Sequence, residues 1–464
     1  MDKQKIYTKL PHFLKSFSLS IWGSYLRRWR YGPETERLVE ETLDRDTWSR
    51  EQWKTWREKR LAFILNHAAT TVPYYREQWQ LRRKQGDRSS WELLENWQRL
   101  DKAVVRESPR QFISDRSAGK HLYIDHTGGT TGKSTLIYQS RKVTRQWYAI
   151  HEARIRRWND LDYHDRWGIF GGQKIIPLDQ KKPPFWVWNR GLNQVYFSIF
   201  HISQESAEDI VEALWCYKPE YLIVYPSALS VLARFIIQER LKVPQLKVII
   251  SNSEALTPTY RALIQEAFAC PVKDTYGMAE MLSAASECSE GTMHYWPETG
   301  FMEIYDLKSE SISSTKGHGL FCTTGLLNED MLLIRYINGD VGRLPRWDSS
   351  CKCGRTLPIM DPIDGRSNDL VLTMDGRELY ILDSLYNGLP IIEGQLIQIS
   401  MGQFEVKIVK DKGCVEQAVE REIRTRLSQY LGEVDILITW VTAIPRERNG
   451  KFKPFISRIN PNEP

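Results

Sequence analysis

His126-Thr-Gly-Gly-Thr-Thr-Gly-Lys-Ser-Thr135 decides how this chain is read. Its end, Gly132-Lys133-Ser134, matches a P-loop, but a Walker A loop needs a glycine five positions before Gly132, and position 127 is Thr. The glycines stand instead at 128, 129 and 132, around the pair Thr130-Thr131. Glycine backbones approach a ligand closely, and N–H groups and short hydroxyls donate to phosphate oxygens. The stretch therefore reads as a polyphosphate-holding loop of another kind than that of a kinase or GTPase. Its plain alternative is a flexible turn.

Length and composition bound the classes open to the chain. At 464 residues it exceeds one typical core, so two or three domains are expected. A hydrophobic share of 41% with 26% charged residues describes a globular protein. The 64 basic and 58 acidic residues leave +6, without the concentrated basic stripe that nucleic-acid binding calls for, so no nucleic-acid partner is expected. No apolar run approaches the length of a membrane span, and Lys9 and Lys15 interrupt any secretory core. The odd number of scattered cysteines, 7, argues against a disulfide framework and for a reducing cytoplasm. The 17 tryptophans read first as packing and pocket lining.

Outward from the loop, the pattern is strand, turn, helix. Leu122–Asp125 is strand-like and feeds the loop, and a helical stretch spans about 140–157. Tyr221–Tyr225 and Lys247–Ile250 are short apolar strands, each followed by a helix, the second opening with the cap Thr257-Pro258. Val272 begins another strand. Repetition of this kind means α/β layering on mostly parallel sheets, with ligands beyond the strands' carboxyl ends. The glycine loop, Ser253-Glu254 and Tyr276 are all expected at such ends. Residues 1–118 read as a helical N-terminal part of the large domain, 119–366 as its ligand-binding part and 367–464 as a small mobile α/β domain. Phe13, Leu14, Phe17, Ile21, Trp22, Tyr25 and Leu26 fall near helical spacing beside basic residues, which fits peripheral membrane contact or plain docking on the core. A homodimer is a further expectation.

Several ordered motifs carry a resemblance. His67–Arg76, Thr127–Lys133, Tyr225-Pro226-Ser227, Ser253-Glu254-Ala-Leu-Thr-Pro258, Asp274-Thr-Tyr276-Gly277-Met-Ala-Glu280, Asn338-Gly-Asp340, Gly365-Arg366-Ser-Asn-Asp369 and Arg446–Phe452 follow one another in the order of the adenylate-forming superfamily. The chain resembles its phenylacetate–CoA ligase branch, especially the relatives associated with capsular and exopolysaccharide synthesis. That resemblance implies ATP, Mg²⁺ and a small carboxylic acid as ligands. CoA is the implied acceptor, and an amine or hydroxyl on a sugar is the alternative. A non-catalytic adenylate-binding protein is the other reading within this fold.

The resemblance also implies roles. Thr127, Gly128, Gly129, Thr130, Thr131, Gly132 and Lys133 would grip the β- and γ-phosphates. Ser253, Glu254, Asp274, Tyr276 and Gly277 would line the nucleotide site, and Asp340 would accept the ribose hydroxyls. Glu280 would hold Mg²⁺. Lys451 would bridge carboxylate and α-phosphate, with Arg366 beside it and Asp369 as the hinge. Joining two anions calls for positioning and cationic stabilisation. Three positions depart from the pattern: Ala279 replaces a common Thr, Ser134 a Pro, and Asn338 a Thr.

Cys351-Lys-Cys353 pairs two thiols, and Cys288 and His294 stand upstream. Together they form the soft ligand mix that Zn²⁺ prefers, and similar positions bind zinc in members of the branch that the chain resembles. With all four ligands from protein, such a metal would be structural.

Overall fold

The computed structural model describes residues 7, 10–127, 134–307, 309–315, 317–366, 371–375, 378–379, 385–386, 388–447 and 449–459. Gly128–Lys133 and Asp369, expected in the phosphate loop and the hinge, lie outside the described residues.

Helices lead the chain: α1 (His12–Arg30), α2 (Thr35–Arg45), α3 (Arg50–Thr71) and α4 (Pro73–Lys84). Local chemistry sets their ends. Ser49 and Gln52 form a reciprocal capping box at the start of α3, and Pro73 opens α4 in its first turn. The part before residue 119 reads as helical with few strand-like runs, and one short strand stands in it. Strand β1 (Leu100–Asp101) lies there and pairs in parallel with β16 (Tyr336–Arg343). Trp53, Trp79 and Trp97 are buried in this part, so these tryptophans are packing.

Strands β2 (Tyr123–His126) and β3 (Leu136–Gln139) pair antiparallel, with His126 opposite Leu136. The glycine stretch therefore joins two strands of a hairpin rather than a parallel strand and a helix. Helix α5 (Arg141–His151) follows and runs on through Glu152–Arg156 and Arg157–Asn159.

The parallel sheet comes next. It orders β5 (Trp186–Asn189), β6 (Gln194–Ser198), β4 (Trp167–Gly171), β7 (Tyr221–Val224), β8 (Val248–Ser251) and β9 (Val272–Lys273), all parallel but β5. Strands β6, β7 and β8 are buried at every position, as an apolar strand covered on both faces must be. Helices α6 (Gln204–Tyr217), α7 (Pro226–Gln238) and α8 (Pro258–Phe268) share its core through Leu214, Leu229, Leu232 and Ile264.

After β9 the next strands pair antiparallel. Strands β10 (Thr275–Gly277), β11 (Ala284–Glu287) and β12 (Met293–Tyr295) form an antiparallel sheet. Tyr276 thus sits within an antiparallel strand, not at a parallel strand's end as expected. Strands β13 (Gly300–Asp306), β14 (Ser311–Ser313) and β15 (His318–Gly325) join β16 antiparallel, and β17 (Gly365–Arg366) pairs with β16.

In the small domain, β18 (Val371–Leu372) pairs β19 (Glu378–Leu379). The main sheet orders β22 (Asp435–Trp440), β21 (Gln403–Lys410), β20 (Ile391–Ser400) and β23 (Phe455–Ser457). Helix α9 (Glu416–Leu431) buries Val419, Ile423, Leu427 and Leu431, spaced by four, against it.

Candidate active site between the domains

Three strand ends and two antiparallel strands bring the site together. The chain leaves β8 at Ser251 and turns through Ser253, whose φ of 68° is in the left-handed region, which aims Glu254 at the small domain. Glu254 Oε2 accepts Ser227 N–H at 3.2 Å at the start of α7, and its Oε1 accepts Phe452 N–H at 2.8 Å from the small domain. Asp274 accepts from the Ser251 hydroxyl and from Thr275 N–H. Burial pushes the Asp274 carboxyl up to about 6, with those two bonds opposing it.

Asp340 lies opposite Arg366 in the β16–β17 pair. Its Oδ1 accepts Arg366 Nε at 3.2 Å, and its Oδ2 accepts the Tyr276 hydroxyl at 2.8 Å and Asn338 Nδ2 at 3.0 Å. Burial raises the Asp340 carboxyl, and Arg366 opposes that rise. Burial, and then the Asp340 charge, push the Tyr276 hydroxyl well above its ordinary range, so it remains a donor. Asn338, a departure from the family pattern, here holds both Asp340 and Tyr276.

Glu280 is 4% exposed, and its Oε1 accepts the Tyr336 hydroxyl at 2.9 Å with Lys102 Nζ at 3.4 Å. An anionic oxygen held this way suits a hard divalent cation such as Mg²⁺. Lys102 and Tyr336 escaped the sequence reading. They belong to no local motif, and Lys102 stands 178 residues from its partner. Thr127 Oγ1 accepts Thr135 N–H at 2.9 Å and Thr127 N–H donates to Thr135 O at 3.0 Å, a clasp at the base of the glycine stretch.

Lys451 closes the cluster from the small domain. Its turn is held by Glu447 N–H to Lys451 O at 3.0 Å and by Lys451 N–H to Asn449 Oδ1 at 3.0 Å. Burial and then the Arg366 charge lower the Lys451 ammonium's pKa, while Glu254, Glu447 and Asp340 oppose them. The turn docks glycine to glycine. A Cβ on Gly172, just past β4, would fall 1.6 Å from Asn449 O, and one on Gly450 (φ 82°) would fall 2.5 Å from Gly172 Cα. A second set of contacts holds the same docking. Arg234 and Gln238 of α7 reach Asp411 at 3.1 and 2.6 Å, and Glu239 meets Lys412 at 2.9 Å. The small domain is therefore seated with its lysine turn over the strand ends.

The metal candidates also converge. Ligand atoms of Cys288, His294, Cys351 and Cys353 all lie within 4.8 Å of one another. Cys288 Sγ is 3.7 Å from Cys351 Sγ, and Cys353 Sγ is 3.4 Å from His294 Nε2. His294 Nδ1 meets Leu357 O at 3.2 Å, which orients the ring so that Nε2 faces the thiols. The donor set fits a closed tetrahedral zinc site stapling β11–β12 to the segment after β16. A cavity of about 230 Å³ lined by Thr42, Arg45, Trp56 and Glu298 shares none of these residues.

The fold and the sequence have counterparts among known proteins. The CapK C-terminal domain family matches residues 377–458. Protein CapK of Staphylococcus aureus is 24% identical over 98% of this chain and 99% of its own length. Phenylacetate-coenzyme A ligase of Escherichia coli (strain K12) is 22% identical over 88% of this chain and 96% of its own. Among solved structures, 2-hydroxyisobutyryl-CoA ligase in the postadenylation state matches at TM-score 0.65 and 19% identity, covering 89% of this chain and 91% of that one. The open conformation of that ligase matches at TM-score 0.53, with 19% identity over 89% of this chain and 93% of that one. The chain is thus similar over nearly its whole length to protein CapK and over most of it to phenylacetate-coenzyme A ligases, and it shares the fold of an adenylate-forming CoA ligase.

Proposed function

We propose that the chain is an AMP-forming ligase that activates a carboxylic acid as its acyl-adenylate. The observation that carries this reading is the seating of Lys451 across the domain interface, close enough to Asp340, Arg366 and Glu254 for their charges to act on it. An acid oxygen attacks the α-phosphorus of ATP, forming the acyl–phosphate bond as pyrophosphate departs. Two anions meet in that step, and the Lys451 ammonium lies where their charge accumulates. Asp340, preset by Tyr276, Asn338 and Arg366, accepts the ribose hydroxyls. Glu280 would hold Mg²⁺, which neutralises phosphate charge when bound. Thr127–Lys133 are assigned to the departing pyrophosphate from the motif.

Acyl transfer to CoA follows in this reading, supported by the similarity to phenylacetate-coenzyme A ligases. An amine or hydroxyl acceptor is the other outcome of the same intermediate. Among the described residues no helix is long and apolar enough to cross a membrane, and the cysteines are free. We assign the chain to a reducing cytoplasm on its scattered thiols.

The test is ATP–pyrophosphate exchange with a panel of carboxylic acids. One acid should drive exchange, and Lys451→Ala should abolish it. Absence of exchange with every acid, together with intact cellular function in Lys451→Ala, favours a non-catalytic adenylate binder. Phosphate rather than pyrophosphate as the product would place the chain among phosphotransferases.

A further inference from the structure

Helix α1 presents its apolar side to solvent. Phe13, Phe17, Ile21 and Tyr25 recur every fourth residue, with Trp22 beside them, and so share one face. They are 69%, 63%, 58%, 37% and, for Trp22, 49% exposed. Lys15, Gly23 and Leu26, off this stripe, are buried, and Trp29, one turn past Tyr25, is buried where the stripe ends. The roll of the helix is locked. A Cβ on Gly23 would fall 2.0 Å from Asn189 Oδ1, and one on Gly191 would fall 2.2 Å from Ser24 N. The apolar stripe therefore cannot turn inward.

Charge selects what covers it. Helix α1 carries Lys15, Arg27, Arg28 and Arg30 and no acidic residue. Arg28 is exposed at the end of the stripe, and Arg190, whose N–H donates to Ser20 Oγ, is exposed beside the middle of the helix. Trp22 stacks on Tyr25 at 5.1 Å, one turn before Arg28. Aromatic and aliphatic side chains bordered by arginines match the boundary between acyl chains and anionic headgroups. A second copy would set two cationic helices side by side with no acid on either to offset them.

We propose that this face docks on an anionic bilayer, Phe13, Phe17, Ile21, Trp22 and Tyr25 entering the headgroup–acyl boundary and Arg28 and Arg190 meeting lipid phosphates. The proposal is independent of the ligase reading, because the stripe contains no residue of the domain-interface cluster.

Cosedimentation of the full chain with vesicles tests it. Binding to phosphatidylcholine vesicles containing phosphatidylglycerol should exceed binding to pure phosphatidylcholine by about tenfold or more, and salt should weaken it. The exposed pair Phe17→Ser with Ile21→Ser should abolish binding with unchanged melting temperature. Arg28→Glu should weaken it about tenfold. Equal binding to both vesicle types, or full binding by the Phe17/Ile21 variant, would overturn the proposal. So would a lipid-free dimer of the wild type that the same variant dissolves, since the face would then belong to a second copy.

Discussion

Glu254 and Phe452 stand 198 residues apart in the chain, and the Glu254 carboxylate accepts the Phe452 N–H at 2.8 Å. Phe452 directly follows Lys451. The other Glu254 oxygen is fixed by Ser227 N–H at the first turn of α7, so the large domain holds the small domain's lysine turn through a rigid anchor. Glu254→Ala should lower the turnover of ATP–pyrophosphate exchange by roughly ten- to a hundredfold, the worth of a charged hydrogen bond of about 1.5–3 kcal/mol. Glu254→Gln should do nearly as much, because its amide would turn a donor toward one of two N–H groups. A loss confined to ATP affinity, with turnover intact, would reduce Glu254 to a nucleotide contact.

The glycine-to-glycine approach predicts a sharper effect. In Gly172→Ala the new methyl would fall 1.6 Å from Asn449 O, a backbone atom that cannot swing aside. The large domain keeps its own packing, but the Lys451 turn can no longer seat. Exchange should drop more than about a hundredfold, as expected when a catalytic group is displaced by an ångström or so. The melting temperature should stay within about 2 °C. Full exchange activity in this variant would mean that catalysis uses some other seating of the small domain.

Some of this was legible in sequence and some was not, for physical reasons. Tyr221–Val224 and Val248–Ile250 are apolar because parallel strands are buried on both faces, and the turns after them carry Pro226 and Pro258 as punctuation. The small domain's helix announced itself by Val419, Ile423 and Leu427 at helical spacing. Leu136–Gln139 did not, since four residues cannot separate a strand period from the start of a helix. Tyr276 was expected at a parallel strand's end and lies on an antiparallel strand. Its sheet pairs through Ala285, which no local pattern marks. The motif residues Tyr276, Asp340, Arg366 and Lys451 do converge, whereas Lys102, Tyr336 and the Ser227 N–H enter only through tertiary contacts.

The thiol–imidazole cluster predicts a stoichiometric metal. Purified protein should carry about one zinc per chain, and fewer than about half an equivalent would sink the assignment. Cys351→Ser should lose the metal and at least ~2 kcal/mol of stability, about 5 °C in melting temperature. Because the four donors leave no open position for water, exchange activity measured well below that temperature should survive.

Asp274 ties site chemistry to pH. Its folded-state pKa, about 6, lies above the ordinary 3.8 because burial penalises the carboxylate. The folded chain therefore binds this proton more tightly than the unfolded chain does. The stability that this provides is complete below the unfolded value and is lost as pH rises through about 6. In Asp274→Asn the amide oxygen can still accept from the Ser251 hydroxyl and Thr275 N–H, while no charge is buried. The variant's melting temperature should thus gain on the wild type between about pH 4 and pH 7, and the gap should level off above that. A gap that stays constant with pH would show that another group titrates. Reduced exchange in the stabilised variant would mean that the site retains a buried carboxylate, at a cost in stability, for its contact with the nucleotide.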